Sequence, residues 1–190
     1  MSKLGLLPLV KRFWIHRYFT FDGTPVSPEY FNWCIRRQIS GLTNVQVLEI
    51  DDLDIPGFIP GGRQYFGPFL PTVRSLLLRA PRGSPQQTIF FIGLFQHLED
   101  LTLLGPTPEW HHKPVDDPTL VPPFTPPLRG RLGMVCFMEA DFVKVMIDLF
   151  GGIRFRYMDI FGVRETRLLL GACARTLETL RLHLNDPCGE

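Results

Sequence analysis

The stretch EWHHKPVDD, Glu109 to Asp117, brings four metal-capable side chains close together: His111, His112, Asp116 and Asp117. A zinc or transition-metal site needs three or four such groups converging on one point, at spacings such as HxH or HxxxH. Adjacent histidines in an extended loop point to opposite sides and no distant third ligand is evident, so the stretch reads as a solvated polar loop. Nucleophilic catalysis finds no better support. A GxSxG elbow is absent, and the serines that stand out, Ser27 in SPEY and Ser84 in RGSP, sit where helix caps belong. IPGGRQYFG lacks the GK[ST] ending of a phosphate-binding loop. Asp51 and Asp52 follow an apolar run and are expected in solvent. The four cysteines, Cys34, Cys136, Cys173 and Cys188, form no CxxC pair and read as thiols of a reducing compartment. The sequence therefore offers no catalytic residue, no metal and no cofactor.

What it offers instead is a recurring element. HLEDLTL (His97 to Leu103) and TLETLRL (Thr176 to Leu182) share the pattern apolar-x-x-apolar-x-apolar. The pattern recurs at Val10/Phe13/Ile15, Val45/Leu48/Ile50, Val73/Leu76/Leu78 and Phe155/Met158/Ile160, with a degraded copy at Leu132/Met134 where Leu128 is shifted by one. Such a template arises by chance at about 0.09 of positions in a chain this apolar, so the segments between copies matter more. Ser27-Pro28 and Ser84-Pro85 are matching helix starts, with a cap and a proline at the first helical position. EADFVKVMIDLFGG places Phe142, Val145, Met146 and Leu149 on one helical face and ends in Gly-Gly. VRETRLLLGACARTL places Leu168, Leu169, Ala172 and Leu177 at helical spacing. IPGFIPGGRQYFGPFLP (Ile55 to Pro71) is too rich in Gly and Pro for more than one short turn. The Pro-rich stretch from Gly105 to Pro127 is an insertion loop, labelled 105–127, that blocks helix and sheet alike.

Strand then helix, recurring every 22 to 35 residues, is the mark of leucine-rich repeats. The fold expected is α/β: a leucine-rich-repeat-like solenoid with a curved parallel sheet of about seven strands and helices on its convex face. Residues 1–190 make a single irregular domain, expected to be a fragment of a longer solenoid because both ends look open. Asn185 alone fits the place of the Asn that ties adjacent turns together in many such repeats. Tyr18, Leu53, Pro81, Pro106 and Val163 stand there in the other copies, so the turns should be held by packing.

Alternation along each strand sends the apolar positions inward and the residues between them out of the concave face. The outward set includes Trp14, His16, Glu49, Arg79, Thr102, Tyr157, Asp159, Phe161 and Arg181, a mixture with the aromatic and Arg anchors of protein interfaces. Trp14 and Phe161 have a competing place, turned inward or covered by the proline-rich insertion. The short basic groups RGR (Arg129 to Arg131) and IRFRY (Ile153 to Tyr157) read as solvated strand edges. A formal net charge of +1 gives no general pull on phosphates, so no nucleic-acid partner is expected. No apolar run approaches the ~20 residues that cross a bilayer, and no membrane partner is expected. The expected location is cytoplasmic or nuclear.

The stretches TVRSLLLRAPRGSPQQTIFFIGLFQHLEDLTLLGPTP and DPTLVPPFTPPLRGRL, with LFGGIRFRYMDIFGVRETRLLLGACARTLETLRL, resemble the leucine-rich-repeat regions of fungal F-box-type proteins. The resemblance covers most of the chain from about Val10 onward. It implies a non-catalytic protein-interaction module, the substrate-recognition repeats of a ubiquitin-ligase component. In such proteins the F-box docks on a Skp-type adaptor. No F-box stands among the nine residues before Val10, so adaptor docking is carried onto no residue here and would need an F-box outside this chain. The alternatives are a leucine-rich-repeat scaffold with no ubiquitin-ligase link, and an α/β enzyme with a deep polar pocket.

Overall fold

The computed structural model of the chain describes residues 8–16, 41–53, 55–58, 66–105, 129–135, 140–149, 153–161 and 166–183. Every segment that carries the apolar template is a strand: β1 (Arg12–His16), β2 (Val47–Asp51), β3 (Ser75–Arg79), β4 (Asp100–Leu104), β5 (Arg129–Val135), β6 (Arg154–Phe161) and β7 (Thr179–His183). These seven form one parallel sheet whose spatial order is the chain order. Neighbours are in register at the template positions. Phe13, Leu48, Leu76, Leu101, Leu132, Met158 and Leu180 make one continuous row, and Ile15, Ile50, Leu78, Leu103, Met134, Ile160 and Leu182 make the next. A one-residue slip would turn each strand's apolar side chains to the wrong face, so the alternation itself fixes the register.

Parallel neighbours need a crossover between them. The described crossovers hold α1 (Ile55–Phe58), α2 (Pro85–Ile92), α3 (Ala140–Leu149) and α4 (Thr166–Cys173). The single turn α1 lies within the Gly/Pro-rich stretch, as its composition predicts. Helix α2 starts where Ser84-Pro85 places it: Ser84 Oγ accepts the Gln87 N–H at 3.2 Å while Gln87 Oε1 accepts the Ser84 N–H at 2.8 Å, a reciprocal capping box. The helices touch one another in chain order, α1 to α2, α2 to α3 and α3 to α4, so they form a second layer. The Ser27-Pro28 helix start, the 105–127 insertion beyond Gly105, the histidine pair and Cys34, Cys136 and Cys188 lie outside the described residues.

The core fills the space between the layers. Leu48, Ile50, Leu76, Leu78, Leu101, Leu103, Leu132, Met134, Phe155, Met158 and Ile160 project from the sheet and are buried. Ile89, Phe91 and Ile92 from α2 and Phe142, Val143 and Met146 from α3 meet them. Phe66 bridges to Phe91 at 5.0 Å edge-on and to Phe95 at 6.3 Å, and Phe69 stacks on Phe13 at 5.7 Å. Edge-to-face rings gain quadrupole attraction beyond the area they bury. Helix α4 carries Leu168, Leu169 and Ala172, as their spacing predicts, and ends before Leu177; it buries Leu169 and Cys173, whereas Leu168 and Ala172 are exposed. The apolar run Leu168-Leu169-Leu170 fits two helical faces one residue apart, and the small Cys173 side chain fits close under β6, its Sγ 3.5 Å from the Ile153 carbonyl oxygen.

One backbone feature recurs after three of the strands. Asp52, Ala80 and Gly105 each follow the last residue of a strand, and each has a left-handed φ of 54°, 47° and 85°. Each donates its N–H to the last carbonyl of the next strand over: Asp52 to Arg79 at 2.8 Å, Ala80 to Leu104 at 2.9 Å and Gly105 to Val135 at 2.9 Å. Leu53 and Pro81, three residues beyond the last template position of their strands, are buried. The degraded fifth copy has a local cause. Gly130 has φ 93°, and a Cβ on it would lie 2.2 Å from the Glu99 carbonyl oxygen. The β5–β6 register shifts at that point, with an extra residue on β6.

Candidate functional site

The side chains between the apolar positions lie on the sheet face opposite the helices, called the outer face below. Register places them in three rows across all seven strands. The first is Arg12, Val47, Ser75, Asp100, Arg131, Tyr157 and Thr179. The second is Trp14, Glu49, Leu77, Thr102, Gly133, Asp159 and Arg181, and the third is His16, Asp51, Arg79, Leu104, Val135, Phe161 and His183. All nine residues proposed from sequence as a binding face therefore stand on one surface: Trp14, His16, Glu49, Arg79, Thr102, Tyr157, Asp159, Phe161 and Arg181. Neither Trp14 nor Phe161 turns inward. Trp14 is 58% exposed, Tyr157 is 45% exposed and Phe161 is half-buried against the His183 ring at 5.0 Å.

Two clusters of the same composition stand at opposite ends of this face. Toward β1, Asp51 lies between His16, with Nδ1 and Oδ2 3.2 Å apart, and Arg79, with Nε 3.7 Å from Oδ1. Toward β7, Asp159 lies between His183, with Nε2 and Oδ1 2.8 Å apart, and Arg131, with Nη2 3.8 Å from Oδ2. In each, arginine is on the inner strand, aspartate on the middle one and histidine on the outer one. Arg12 adds an ion pair to Glu49 at 3.3 Å. The more exposed pairs, Arg12 with Glu49 and those of Asp159, contribute little to stability; their effect is to fix which way the charged ends point.

Asp51 departs from the sequence expectation. It is 6% exposed rather than solvated, and its Oδ1 accepts no hydrogen bond. The His16 and Arg79 side chains flank it because parallel register sets their strands to either side. Asp52, expected in solvent beside it, turns the other way and takes Arg82 Nε at 2.6 Å and Nη2 at 3.3 Å.

A groove of about 540 Å³ crosses the outer face between β3 and β7, lined among others by Asp100, Thr102, Arg131, Asp159, Phe161 and His183. Gly133 lines it: a Cβ there would meet the Thr102 side chain at 3.2 Å and narrow the groove. A second hollow of about 450 Å³ continues it past Tyr157, Thr179 and Arg181. Among the described residues, no group of three His, Cys, Asp or Glu side chains is arranged to hold a metal ion. Burial pushes the Cys173 thiol above its ordinary range, a backbone hydrogen bond opposing this in part, so it stays protonated at neutral pH as a packing residue. No helix among the described residues is long and apolar enough to cross a membrane.

Sequence reasoning missed one constellation. The arginines of RGR and IRFRY are exposed as expected, but the two groups lie on adjacent interior strands, with Arg129 opposite Arg154 and Arg131 opposite Tyr157. Their separate motifs carry the signal, but only strand pairing shows that they meet.

No protein-family model, curated protein or solved structure matches the chain. What the outer face does must be argued from its own chemistry.

Proposed function

We propose that the chain is a non-catalytic protein-interaction module that binds its partner across the outer face of the sheet. The observation that carries this reading is the three unbroken rows of mixed side chains, with Trp14 and Tyr157 exposed on the face opposite the helices. Exposed aromatics beside pre-positioned arginines are the side chains that concentrate binding energy at protein interfaces. A sheet holds them rigidly, so little conformational entropy is lost on binding. The left-handed residue after β2, β3 and β4, each with the same hydrogen bond to the next strand, supports reading the fold as a leucine-rich-repeat solenoid. Together with the resemblance of the repeat stretches, this favours the substrate-recognition repeats of an F-box-type ubiquitin-ligase component, with a cellular protein as the partner.

Two measurements test this. A photo-crosslinking residue placed at Trp14 or Tyr157 should capture the partner in cells, and one placed at Leu168, exposed on α4, should not. Trp14→Ala and Tyr157→Ala should each weaken binding of that partner by about tenfold or more, the effect of losing an interface anchor, while thermal unfolding stays unchanged. Crosslinks arising only from Leu168 would move the interface to the helices and end the reading. The ubiquitin-ligase component is tested separately: the full-length native protein should co-purify with the Skp-type adaptor. If it does not, the chain is a repeat scaffold without that link.

A further inference from the structure

The charge on the outer face is unevenly spread. Toward β1, the arginines Arg12 and Arg79 face the carboxylates Glu49 and Asp51. Toward β7 the balance changes. Arg129 and Arg154 are register partners one step from Gly130 and the buried Phe155, so alternation places both on the outer face, and both are exposed. Arg131 and Arg181 line the hollow beside the exposed Tyr157, and Arg156, its exposed neighbour in sequence, reaches toward Glu178. The register shift at Gly130/Arg131 adds Arg156 as an extra residue beside Tyr157. The carboxylates nearby are Asp100, Asp159 and Glu178. Arg131 and Arg156 reach Asp159 and Glu178 only at 3.8 and 3.7 Å, while Glu99, the next along, is taken by Arg74. Five arginines against three carboxylates leave an excess of two positive charges, more than the net +1 of the whole chain.

We propose that this patch on β5, β6 and β7 receives an acidic, extended segment of the partner protein, a run of Asp or Glu side chains in alternation with uncharged ones. The proposal rests on the outer face being the interface and specifies what meets it. Guanidinium groups bind carboxylates through paired N–H donors, and the long Arg131 and Arg156 contacts leave donors to offer. Three strands span about 10 Å, the reach of about three extended residues. Asp100 and Asp159 decide between carboxylate and phosphodiester partners. They stand inside the groove among the arginines, where a backbone charged at every step would run against them. A peptide can set an uncharged or basic side chain there and its acids on either side. Tyr157 supplies the apolar surface that the segment covers.

The test uses the whole chain and a fluorescein-labelled peptide of alternating glutamate and serine, followed by fluorescence anisotropy at low salt. Three comparisons run beside it: the same peptide with glutamine for glutamate, a labelled oligouridylate, and the crosslinked partner of the preceding section. The glutamate peptide should bind at least about tenfold more tightly than its glutamine counterpart, and added salt should weaken it. Arg129→Glu and Arg154→Glu should each lower that affinity by about tenfold, whereas Arg12→Glu at the other end of the same face should leave it within about twofold. Arg129→Gln and Arg154→Gln should show a smaller loss in the same order, which separates a charge effect from a folding defect seen by circular dichroism. Equal affinity for the two peptides, or an equal loss from Arg12→Glu, would overturn the proposal. Tighter binding of oligouridylate, lost in the same variants, would also overturn it by assigning the patch to phosphodiesters. If the peptide result is negative while Trp14 and Tyr157 still crosslink the partner, the acidic-segment proposal fails and the interface reading stands.

Discussion

Gly130 and Gly133 lie three residues apart on β5 and are glycine for different physical reasons. At Gly130 the backbone is left-handed and passes so close to Glu99 that a Cβ would meet its carbonyl oxygen at 2.2 Å. That oxygen belongs to the main chain and accepts the Arg131 N–H at 3.0 Å, so it cannot move aside without breaking the β4–β5 ladder. At Gly133 the nearest atoms are the Thr102 hydroxyl and methyl at 3.2 and 3.3 Å, the ends of a side chain that can rotate. Gly130→Ala should therefore destabilise the protein by at least about 2 kcal/mol, lowering the midpoint of thermal unfolding by about 4–8 °C for a chain of this size. Gly133→Ala should shift it by less than about half as much, while narrowing the groove on the outer face. Equal small shifts from both would mean that the close approach of β5 to β4 at Gly130 does not exist.

At the scale of the element, the repeating piece is a strand closed by a left-handed turn. Asp52 and Gly105 suit that conformation, since Asx residues and glycine enter it at low cost, whereas Ala80 at φ 47° does not. Ala80→Gly removes a strain of about 1–2 kcal/mol, against about 0.5–1 kcal/mol of added freedom in the unfolded chain. The net expectation is a stabilisation of up to about 1.5 kcal/mol, read from the denaturation midpoint at unchanged slope. A loss of stability would show that the Ala80 methyl makes packing contacts worth more than the strain. The strands themselves were legible in the sequence because alternation constrains both position and register: placing Leu101 opposite Leu76 and Leu132 follows from the template alone. The buried face of helix α4 was not, since three consecutive leucines satisfy either of two faces and only the neighbouring β6 selects Leu169 and Cys173. Asp51 was not legible either. Its burial comes from His16 and Arg79, distant along the chain, and no local pattern announces them. The arginine patch fell between these cases: both motifs were visible, but their meeting is a property of the β5–β6 pairing.

At the scale of the whole molecule, packing is unequal along the sheet. Strands β3 and β4 are backed by α2 and by the ring cluster of Phe66, Phe91 and Phe95. Every residue of β7 is exposed, and its template leucines Leu180 and Leu182 are 36% and 45% exposed. They belong to the rows whose other described members, from β2 to β6, are buried. Buried apolar area sets how much free energy a strand loses when it opens, and regions with few such contacts open locally before the protein unfolds. Native-state hydrogen exchange should therefore be graded. The amides of Leu76, Leu78, Leu101 and Leu103 should exchange near the global unfolding limit, and those of Leu180 and Leu182 should exchange through smaller openings, at least about 2 kcal/mol less costly. This gradient bears on binding, because Arg181 and His183 sit on the strand expected to open most readily and border the two hollows. A partner seated over β5 to β7 should raise protection most at β7, since ligand binding stabilises the closed strand by mass action. Uniform protection from β3 to β7 in the free chain would mean that β7 is covered by packing equal to that of the central strands, and would remove any contribution of strand closure to the affinity of the patch.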